Sequence, residues 1–352
     1  MIWKDPELNT LLESSTLAIG SLKSYSELIP NIDLYIKMHV LTEAHNSNKI
    51  EGTKTTIEED LMKLEDLPLK KRDDVQEVHN YIEALNYGIQ KITIDNFPLS
   101  TRLLRDIHSI LLKGVRGTHK TPGEFRYSQN WIGGSKPDNA IFVPPSSEHV
   151  ISLMSDLELF IHNEEIKVPH LIKLALIHYQ FESIHPFLVG NGRLSRLIIP
   201  LYLLNYGILD KPSFYVSNYL EKNRNEYYSA LTRVRENGEL IYWIKFFIKA
   251  MISTADDVKT KFSNVVSTVE KYNSLILDVK GRPENIAKIM REFYNDPILS
   301  ITSITERTGL SRNSVHSIVN NLEEKGILKE ITGYSRNKIF ALYEYYSIFA
   351  SN

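Results

Sequence analysis

Two mostly apolar stretches lie on either side of a polar, glycine-containing loop near the middle of the chain. They cover residues 171–181 and 197–204, and both have the composition of buried helices. Two buried helices joined by such a loop would hold its backbone and side chains in a fixed position. The pattern therefore indicates residues 185–196 as the candidate functional loop.

Helical periodicity also dominates the N-terminal part of the chain. Leu34, Met38 and Leu41 recur at steps of three and four residues, which predicts an amphipathic helix that ends near Gly52. A further helix is predicted over residues 75–92, and the charged stretch 70–74 before it is interpreted as a turn.

Residues 121–145 differ in kind, because they contain glycine, proline and short runs of β-forming residues. The pattern predicts a small hairpin with its turn at residues 136–139. From the sequence alone, a surface hairpin without a role and a functional flap are equally good interpretations.

The C-terminal part of the chain has the pattern of a winged helix-turn-helix domain. One helix ends at Gly309, the next is capped by Ser311, and residues 326–342 supply a two-stranded wing. We therefore predict a mainly α-helical protein. Its parts are an N-terminal helical region over residues 1–92, a helical core with the small β-hairpin over 93–254, a connecting helix over 255–282 and a winged helix domain over 283–352.

The central loop combines groups that suit phosphate chemistry. Gly190, Asn191 and Gly192 would open the second buried helix, where free N–H groups and the helix dipole attract anions. Arg193 and Arg196 are three residues apart, so we expect them to share one helix face and both reach that anion. A histidine, His185, precedes the glycines and can act as a base near neutral pH. Together they predict phosphoryl or nucleotidyl transfer.

The same loop resembles the motif of the Fic family, H-x-F-x-[D/E]-G-N-G-R-x-x-R. The matching residues are His185, Phe187, Gly190, Asn191, Gly192, Arg193 and Arg196. The resemblance implies transfer of AMP from ATP to a Ser, Thr or Tyr hydroxyl of a protein. In that scheme His185 takes the hydroxyl proton, the Gly190–Gly192 amides, Asn191 and Arg193 hold the α- and β-phosphates, and Arg196 holds the γ-phosphate.

A second resemblance lies at the end of the helix that precedes Gly52. Ser47 and Glu51 match the Ser-x-x-x-Glu-Gly inhibitory motif of Fic proteins that carry their own inhibitor. By this resemblance Glu51 pairs with Arg196. An arginine held by an intramolecular carboxylate is not available to the γ-phosphate of ATP, so we expect a self-inhibited enzyme.

The resemblance also assigns roles to the hairpin and to a tyrosine pair. The hairpin is similar to the family's flap, which aligns a target segment by strand addition, and Ile132 and Phe142 are the candidates for contact with target or ATP. One of Tyr227 and Tyr228 is expected to face the adenine. Helical spacing favours a core position at least as strongly for either tyrosine.

The chain departs from the family motif at Val189, where the family has an acid that holds Mg2+. Valine has no ligand oxygen, and Mg2+ requires oxygen ligands. We expect ATP as the substrate, Mg2+ held weakly and mainly by its phosphates, and no metal-binding residue in the protein. An alternative remains open: a nucleotide-binding regulator with weak or no transferase activity, whose output is the winged helix domain acting on DNA or a partner.

Composition adds three expectations. The 352 residues carry a net charge of −2, and basic and acidic residues balance over the winged helix region. This balance disfavours DNA binding. Arg312, Asn313 and Arg336 are nevertheless candidates for contacting DNA. The chain has no cysteine, which suits a cytoplasmic protein, and no sign of membrane association. The expected partner is a protein with a hydroxyl side chain, and whether the chain modifies itself or forms homo-oligomers stays open.

Overall fold

The computed structural model describes residues 5–26, 32–62, 64–115, 117, 119–333 and 338–350. Within them the chain forms fifteen α-helices and three short β-strands, which confirms the predicted mainly helical fold. The helices are α1 Pro6–Ser26, α2 Ile32–Ile50, α3 Ile57–Leu61, α4 Leu69–Thr93, α5 Thr101–Leu111, α6 Val150–His162, α7 His170–Ile184, α8 Asn191–Asn205, α9 Ser217–Lys222, α10 Arg224–Asn237, α11 Leu240–Ile276, α12 Pro283–Asn295, α13 Ile301–Thr308, α14 Arg312–Glu324 and α15 Tyr343–Ala350, and the strands are β1 Ile298–Ser300, β2 Lys329–Glu330 and β3 Ile339–Ala341. In the part of the chain described here, every helix is too short or too polar to cross a bilayer.

The chain divides into two compact units. The first contains residues 1–23 and 43–256, and the second contains residues 24–42 and 257–352. Helix α2 therefore begins in the second unit and ends in the first. The stretch that the sequence marks as a connecting helix, residues 255–282, is largely the second half of α11, which continues without a break from Leu240.

The core of the first unit forms around α8, in which every residue from Arg193 to Leu204 is buried. Helix α4 approaches it closely at Gly88, where an added Cβ would lie 3.0 Å from side-chain atoms of both Ile107 in α5 and Leu201 in α8. A small residue is therefore needed at this crossing. The indole N–H of Trp243 donates to the carbonyl of Ala175 at 2.9 Å and fixes α11 against α7.

The charged stretch 70–74 is helical, so the predicted turn there is wrong. Helix α4 begins at Leu69, and Pro68 occupies its N-cap position. Two of its basic side chains hydrogen bond to backbone carbonyls of the segments that precede the helix. Lys71 donates to the carbonyl of Lys54 at 2.6 Å, and Arg72 donates to that of Leu67 at 3.0 Å.

The predicted hairpin at residues 121–145 is present only as a single antiparallel bridge between Ile132 and Phe142. Two hydrogen bonds make the bridge: Ile132 N–H donates to Phe142 O at 2.8 Å, and Phe142 N–H donates to Ile132 O at 3.2 Å. The predicted turn contains a short 3-10 segment, Pro137–Asn139. The side chain of Asn139 accepts from the backbone N–H groups of Ser135 and Lys136, which precede this segment. Proline and glycine limit the pairing on both sides of the bridge.

The second unit contains the winged helix. Helices α13 and α14 meet at Gly309, which has φ of 68°, and Ser311 caps α14 as predicted by accepting from the N–H of Ser314 at 3.3 Å. The wing strands β2 and β3 are joined by β1, which the sequence did not indicate, in the antiparallel order β1-β3-β2. The first strand is only three residues long, too short to show an alternating pattern.

Candidate functional site

The loop between α7 and α8 holds His185 in a left-handed backbone conformation, with φ of 51° and ψ of 59°. Its N–H closes α7 by donating to Phe181 O at 2.9 Å. Its carbonyl accepts from Arg126 Nε at 3.0 Å and from Asn130 Nδ2 at 3.3 Å. Two side chains from residues 121–145 therefore fix the backbone of the predicted base, although nothing local in the sequence pointed to them.

Phe187 and Asn191 close the loop from the inside. The Asn191 side chain accepts from Phe187 N–H at 2.9 Å and donates to Phe187 O at 2.7 Å. The Phe187 ring is fully buried and stacks on His108, with ring centroids 3.8 Å apart. Both polar ends of the Asn191 amide are thus engaged in shaping the loop, and the contact with an α-phosphate predicted for this amide remains a prediction.

His108, which the sequence did not single out, supports the same loop from α5. Its Nδ1 accepts from Gly123 N–H at 2.9 Å, so the ring must carry its proton on Nε2, which donates to Val189 O at 2.9 Å. Burial lowers the pKa of His108 to about 4, and the ring is therefore neutral near pH 7. A neutral imidazole thus joins residue 123 to residue 189.

The predicted inhibitory residues meet Arg196 directly. Arg196 Nη2 lies 2.6 Å from Glu51 Oε1, and its Nε donates to Ser47 Oγ at 2.8 Å. The same Nη2 donates to Ser47 O at 3.0 Å. Arg196 is almost fully buried, while the Glu51 side chain is 35% exposed. The structure thus brings Ser47, Glu51 and Arg196 together.

Glu51 and Arg196 stabilise each other's charge. Burial alone would raise the pKa of Glu51, but the positive charges of Arg196 and Arg193 outweigh it and hold that pKa below its ordinary value. Although burial disfavours its charged form, Glu51 raises the pKa of Arg196. A Cβ at position 192 would collide with Glu51 Oε1. The carboxylate therefore lies over the first turn of α8, at the end of the helix that attracts anions.

Arg193 has different partners from Arg196. Its Nη1 donates to Glu77 Oε2 in α4 at 3.0 Å and to Asn48 Oδ1 in α2 at 3.3 Å. All three side chains are buried. The two arginines of the motif are thus held by separate carboxylates, and the expectation that both reach one anion requires Arg193 to leave Glu77.

The two tyrosines differ in environment. Tyr227 is 1% exposed and its hydroxyl lies 2.9 Å from His178 Nε2, so the core interpretation holds for it. Tyr228 is 40% exposed, and the guanidinium of Arg224 lies 5.7 Å from its ring centroid. Of the pair, only Tyr228 presents a surface that an adenine could cover.

The flap presents other apolar side chains besides the predicted ones. Ile132 and Phe142 are half-buried, and the Phe142 ring centroid lies 3.7 Å from the guanidinium carbon of Arg235 in α10. The neighbouring Trp131, Ile141 and Val143 are 37%, 71% and 45% exposed. Side chains alternate along extended backbone, so these three residues are the ones that the flap offers to solvent.

The residues around Val189 do not fit a protein-bound metal. Val189 contributes an aliphatic side chain, and its carbonyl accepts the hydrogen bond from His108. Among the described residues, no cluster of three His, Asp or Glu side chains could hold a metal ion. The site thus offers arginines and helix N–H groups for an anion, and a histidine for proton transfer.

Comparison with known proteins gives three matches to family profiles. Residues 9–90 match the Fic/DOC family N-terminal region, residues 98–203 match the Fic/DOC family, and residues 283–329 match a winged helix-turn-helix DNA-binding family. Among curated proteins, the chain is 25% identical over 279 residues to the protein adenylyltransferase Fic of Drosophila erecta, covering 70% of this chain and 52% of that one. The corresponding protein of Aedes aegypti is 28% identical over 188 residues, which are 53% of this chain and 34% of that protein. The chain therefore spans about half or less of these relatives.

Solved structures show a similar fold. A Fic family protein from Desulfovibrio desulfuricans has a TM-score of 0.61 at 19% identity, with 96% of both chains covered. Fic-1 from C. elegans has a TM-score of 0.58 at 19% identity, covering 73% of this chain and 74% of that one.

Proposed function

The chain belongs to the Fic/DOC family, and we propose that it transfers AMP from ATP to a hydroxyl side chain of a protein and is inhibited by its own Glu51. The observation that carries the proposal is the Glu51 carboxylate bound to Arg196 over the first turn of α8. An internal anion occupies the place where helix N–H groups and an arginine would receive the phosphates of ATP. The names of the curated relatives, protein adenylyltransferases, favour the same reaction.

The chemistry follows from the groups that border the loop. His185 removes the proton of a Ser, Thr or Tyr hydroxyl, and the oxygen forms a bond to the α-phosphorus of ATP. The bond from that phosphorus to the bridging oxygen breaks, and pyrophosphate leaves with the electron pair. The N–H groups at residues 190–192 and the two arginines stabilise the negative charge that develops.

Inhibition follows from competition for Arg196. While Glu51 is bound, the γ-phosphate lacks its cation, and ATP cannot take up the in-line pose that transfer requires. Glu51 lies at the C-terminal end of α2, next to Gly52, which has φ of 101°. A carboxylate at a helix end can be displaced by a local change in backbone without unfolding the core.

Val189 is the reason to expect a low rate of AMP transfer. Because the chain supplies no carboxylate at this position, Mg2+ would be held only by the ATP phosphates and water, and we expect slow transfer. The roles proposed for His185, Arg193 and Arg196 do not require a protein side chain that binds the metal.

The test uses purified full-length protein, ATP labelled at the α-phosphate, and Mg2+ or Mn2+. Four forms are compared: wild type, Glu51→Gly, Glu51→Gly with His185→Ala, and Glu51→Gly with Val189→Asp. We expect protein labelling by Glu51→Gly that is lost with His185→Ala and increased with Val189→Asp. Glu158→Gln is the matched control, because it removes a carboxylate that caps α5 through Thr101 N–H and lies outside the site.

Labelling that persists without His185 would contradict the proposed role of the base. Labelling that requires Val189→Asp would mean that the natural chain has lost transfer through its metal position. If no form labels protein while ATP still binds, the transferase proposal is wrong.

A second candidate function is a nucleotide-binding regulator that acts through the winged helix. The supporting observation is the exposed face of α14, which carries Arg312, Asn313, His316 and Ser317, side chains that can hydrogen bond to base edges. Residues 283–329 match a family described as DNA-binding. The balanced charge of this region argues against tight binding to phosphates, and Arg336, a further candidate, lies outside the described residues.

The regulator is tested by selecting duplexes from a random-sequence pool with the full chain and titrating the enriched duplex at several salt concentrations. Sequence-specific binding that Asn313→Ala weakens and the exposed-surface control Lys288→Ala does not would support it. Recovery of no preferred sequence would leave protein docking as the use of α14.

A further inference from the structure

A buried carboxylate lies near His185, the predicted base, and has no role in the motif or in the proposed mechanism. Glu182 lies in the last turn of α7, three residues before His185, and is 6% exposed. Its Oε2 is 3.8 Å from His185 Nδ1. That nitrogen is buried and has no hydrogen-bond partner among the described residues. A buried imidazole N–H without an acceptor is unfavourable, and the Glu182 carboxylate is a charged acceptor within reach of a side-chain rotation.

Glu182 is itself held in place from the neighbouring helix. The hydroxyl of Ser195, which is fully buried in α8, hydrogen bonds to Glu182 Oε1. Ser195 Oγ also lies 2.9 Å from Gly192 O, and a hydroxyl has one proton to give to either acceptor. The carboxylate therefore connects the helix that ends at the base with the helix whose first turn receives the phosphates.

Three charged groups act on the His185 ring. Glu182 comes from the same helix, Glu51 from the end of α2 and Arg235 from α10. Burial lowers the pKa of His185. The Glu182 carboxylate, the Glu182 backbone carbonyl and Glu51 raise it, and Arg235 lowers it further. Once Glu51 gives way to ATP, Glu182 is the carboxylate of this pair that stays beside the ring.

We propose that Glu182 is the positioning residue of His185: it accepts the Nδ1 proton, leaves the Nε2 lone pair free for the acceptor hydroxyl, and stabilises the imidazolium that forms. The inference rests on the proposed transfer of AMP. The required movement is a side-chain rotation that shortens a 3.8 Å separation to hydrogen-bond length. Such bonds are commonly long in unliganded sites and shorten when the substrate is bound. Ser195 keeps the second carboxylate oxygen in place during this change.

The first measurement does not require activity. NMR titration of full-length protein with labelled histidine, assigned through His185→Ala, gives the pKa of His185 in wild type, Glu182→Gln and the control Glu158→Gln. We expect Glu182→Gln to lower that pKa by about one pH unit and Glu158→Gln to leave it unchanged. An unchanged pKa in Glu182→Gln would overturn the proposal, whether or not the protein transfers AMP.

The second measurement follows AMP transfer in the Glu51→Gly background. We expect Glu182→Gln to reduce kcat about a hundredfold, with little change in KM for ATP, because the base loses orientation while the phosphate contacts remain. The acid limb of the kcat profile should move to lower pH together with the His185 pKa. Ser195→Ala should show a smaller loss, because Glu182 remains but is no longer held.

Two outcomes would overturn the positioning role. One is a kcat and pH profile equal to those of the Glu51→Gly parent. The other is a fall in thermal stability and ATP affinity in both Glu182→Gln and the shorter Glu182→Asp, without the pKa change, which would make Glu182 a structural residue. If the Glu51→Gly parent itself transfers nothing, the proposed function fails and the NMR titration alone decides the inference.

Discussion

At the scale of single residues, His108 shows how a neutral histidine can stabilise a loop. It must accept one hydrogen bond and donate another, and only the neutral ring can do both. Protonation would remove the acceptor that binds Gly123 N–H. The pKa of about 4 places that event below physiological pH, so the loop around Val189 is kept in one shape across the neutral range.

The lowered pKa of His108 makes the stability of the protein decrease at acidic pH. Because the folded pKa of His108 is about 4 and its ordinary value is 6.5, the unfolded chain binds more protons between these values, and stability falls as pH drops through that window. We expect the free energy of unfolding to decrease by about 2 kcal/mol from this residue between pH 7 and pH 5. Urea unfolding of wild type and His108→Gln at both values measures it, and equal pH dependence of the two proteins would contradict the assignment.

The residues found from the sequence and those missed differ in one respect. Ser47, Glu51 and Arg196 belong to two short motifs, and each motif fixes its own spacing. Glu77 and Glu182 act through contacts with Arg193 and His185 that depend on how α4, α7 and α8 pack. A carboxylate on a helix is most often solvated, so nothing local distinguished these two from the many others in the chain.

At the scale of elements, a buried ion pair joins α4 and α8. Arg193 and Glu77 are 5% and 6% exposed and 3.0 Å apart. Removing one partner of a buried pair leaves a charge without compensation, which costs about 3–5 kcal/mol. The pair therefore fixes the crossing of the two helices as well as the direction of Arg193.

We expect Glu77→Ala to lower the free energy of unfolding of the first unit by about that amount. Glu77→Ala combined with Arg193→Met should recover part of the loss, because the uncompensated charge is then gone. Denaturant unfolding of the two variants makes the comparison. A double variant no more stable than Glu77→Ala would show that the cost comes from packing and not from charge.

Two helical glycines provide a matched pair. Gly88 lies where an added Cβ would be 3.0 Å from Ile107 and Leu201, whereas nothing lies within 4 Å of a Cβ at Gly20 in α1. We expect Gly20→Ala to stabilise by up to about 1 kcal/mol through helix propensity. Gly88→Ala should destabilise by about 1–2 kcal/mol, because crowding outweighs the same gain. Thermal unfolding of both variants tests the opposite signs; stabilisation by Gly88→Ala would mean that the crossing can relax.

The element predictions were most accurate where apolar residues repeat at helical spacing, as around α7 and α8. They were wrong at residues 70–74, where a charged stretch was interpreted as a turn although it lies at the start of α4. They also missed β1, because three residues cannot show a period and the strand exists only through its pairing with β3. Such elements are determined by tertiary contacts and not by local sequence.

At the scale of the whole molecule, the boundary between the two compact units crosses helix α2. The first half of α2, residues 32–42, is grouped with the winged helix and its second half with the core. Within the second unit, the Tyr35 hydroxyl donates to Val258 O at 3.3 Å and Lys37 pairs with Asp296 at 3.0 Å. Periodicity describes α2 as one helix and cannot indicate that its two halves have different neighbours.

Under the proposed function, this shared helix would subject the two units to thermodynamic linkage. The proposed function requires Glu51, at one end of α2, to move between the state bound to Arg196 and a released state. Nearer the other end, Tyr35 bonds to Val258 of the second unit. A partner that alters the anchored end shifts this equilibrium by the difference in its affinity for the two states. If ATP displaces Glu51 as proposed, reciprocity requires ATP to change the affinity for that partner by the same factor. The affinities of the two ligands would then be coupled although the ligands bind at different sites.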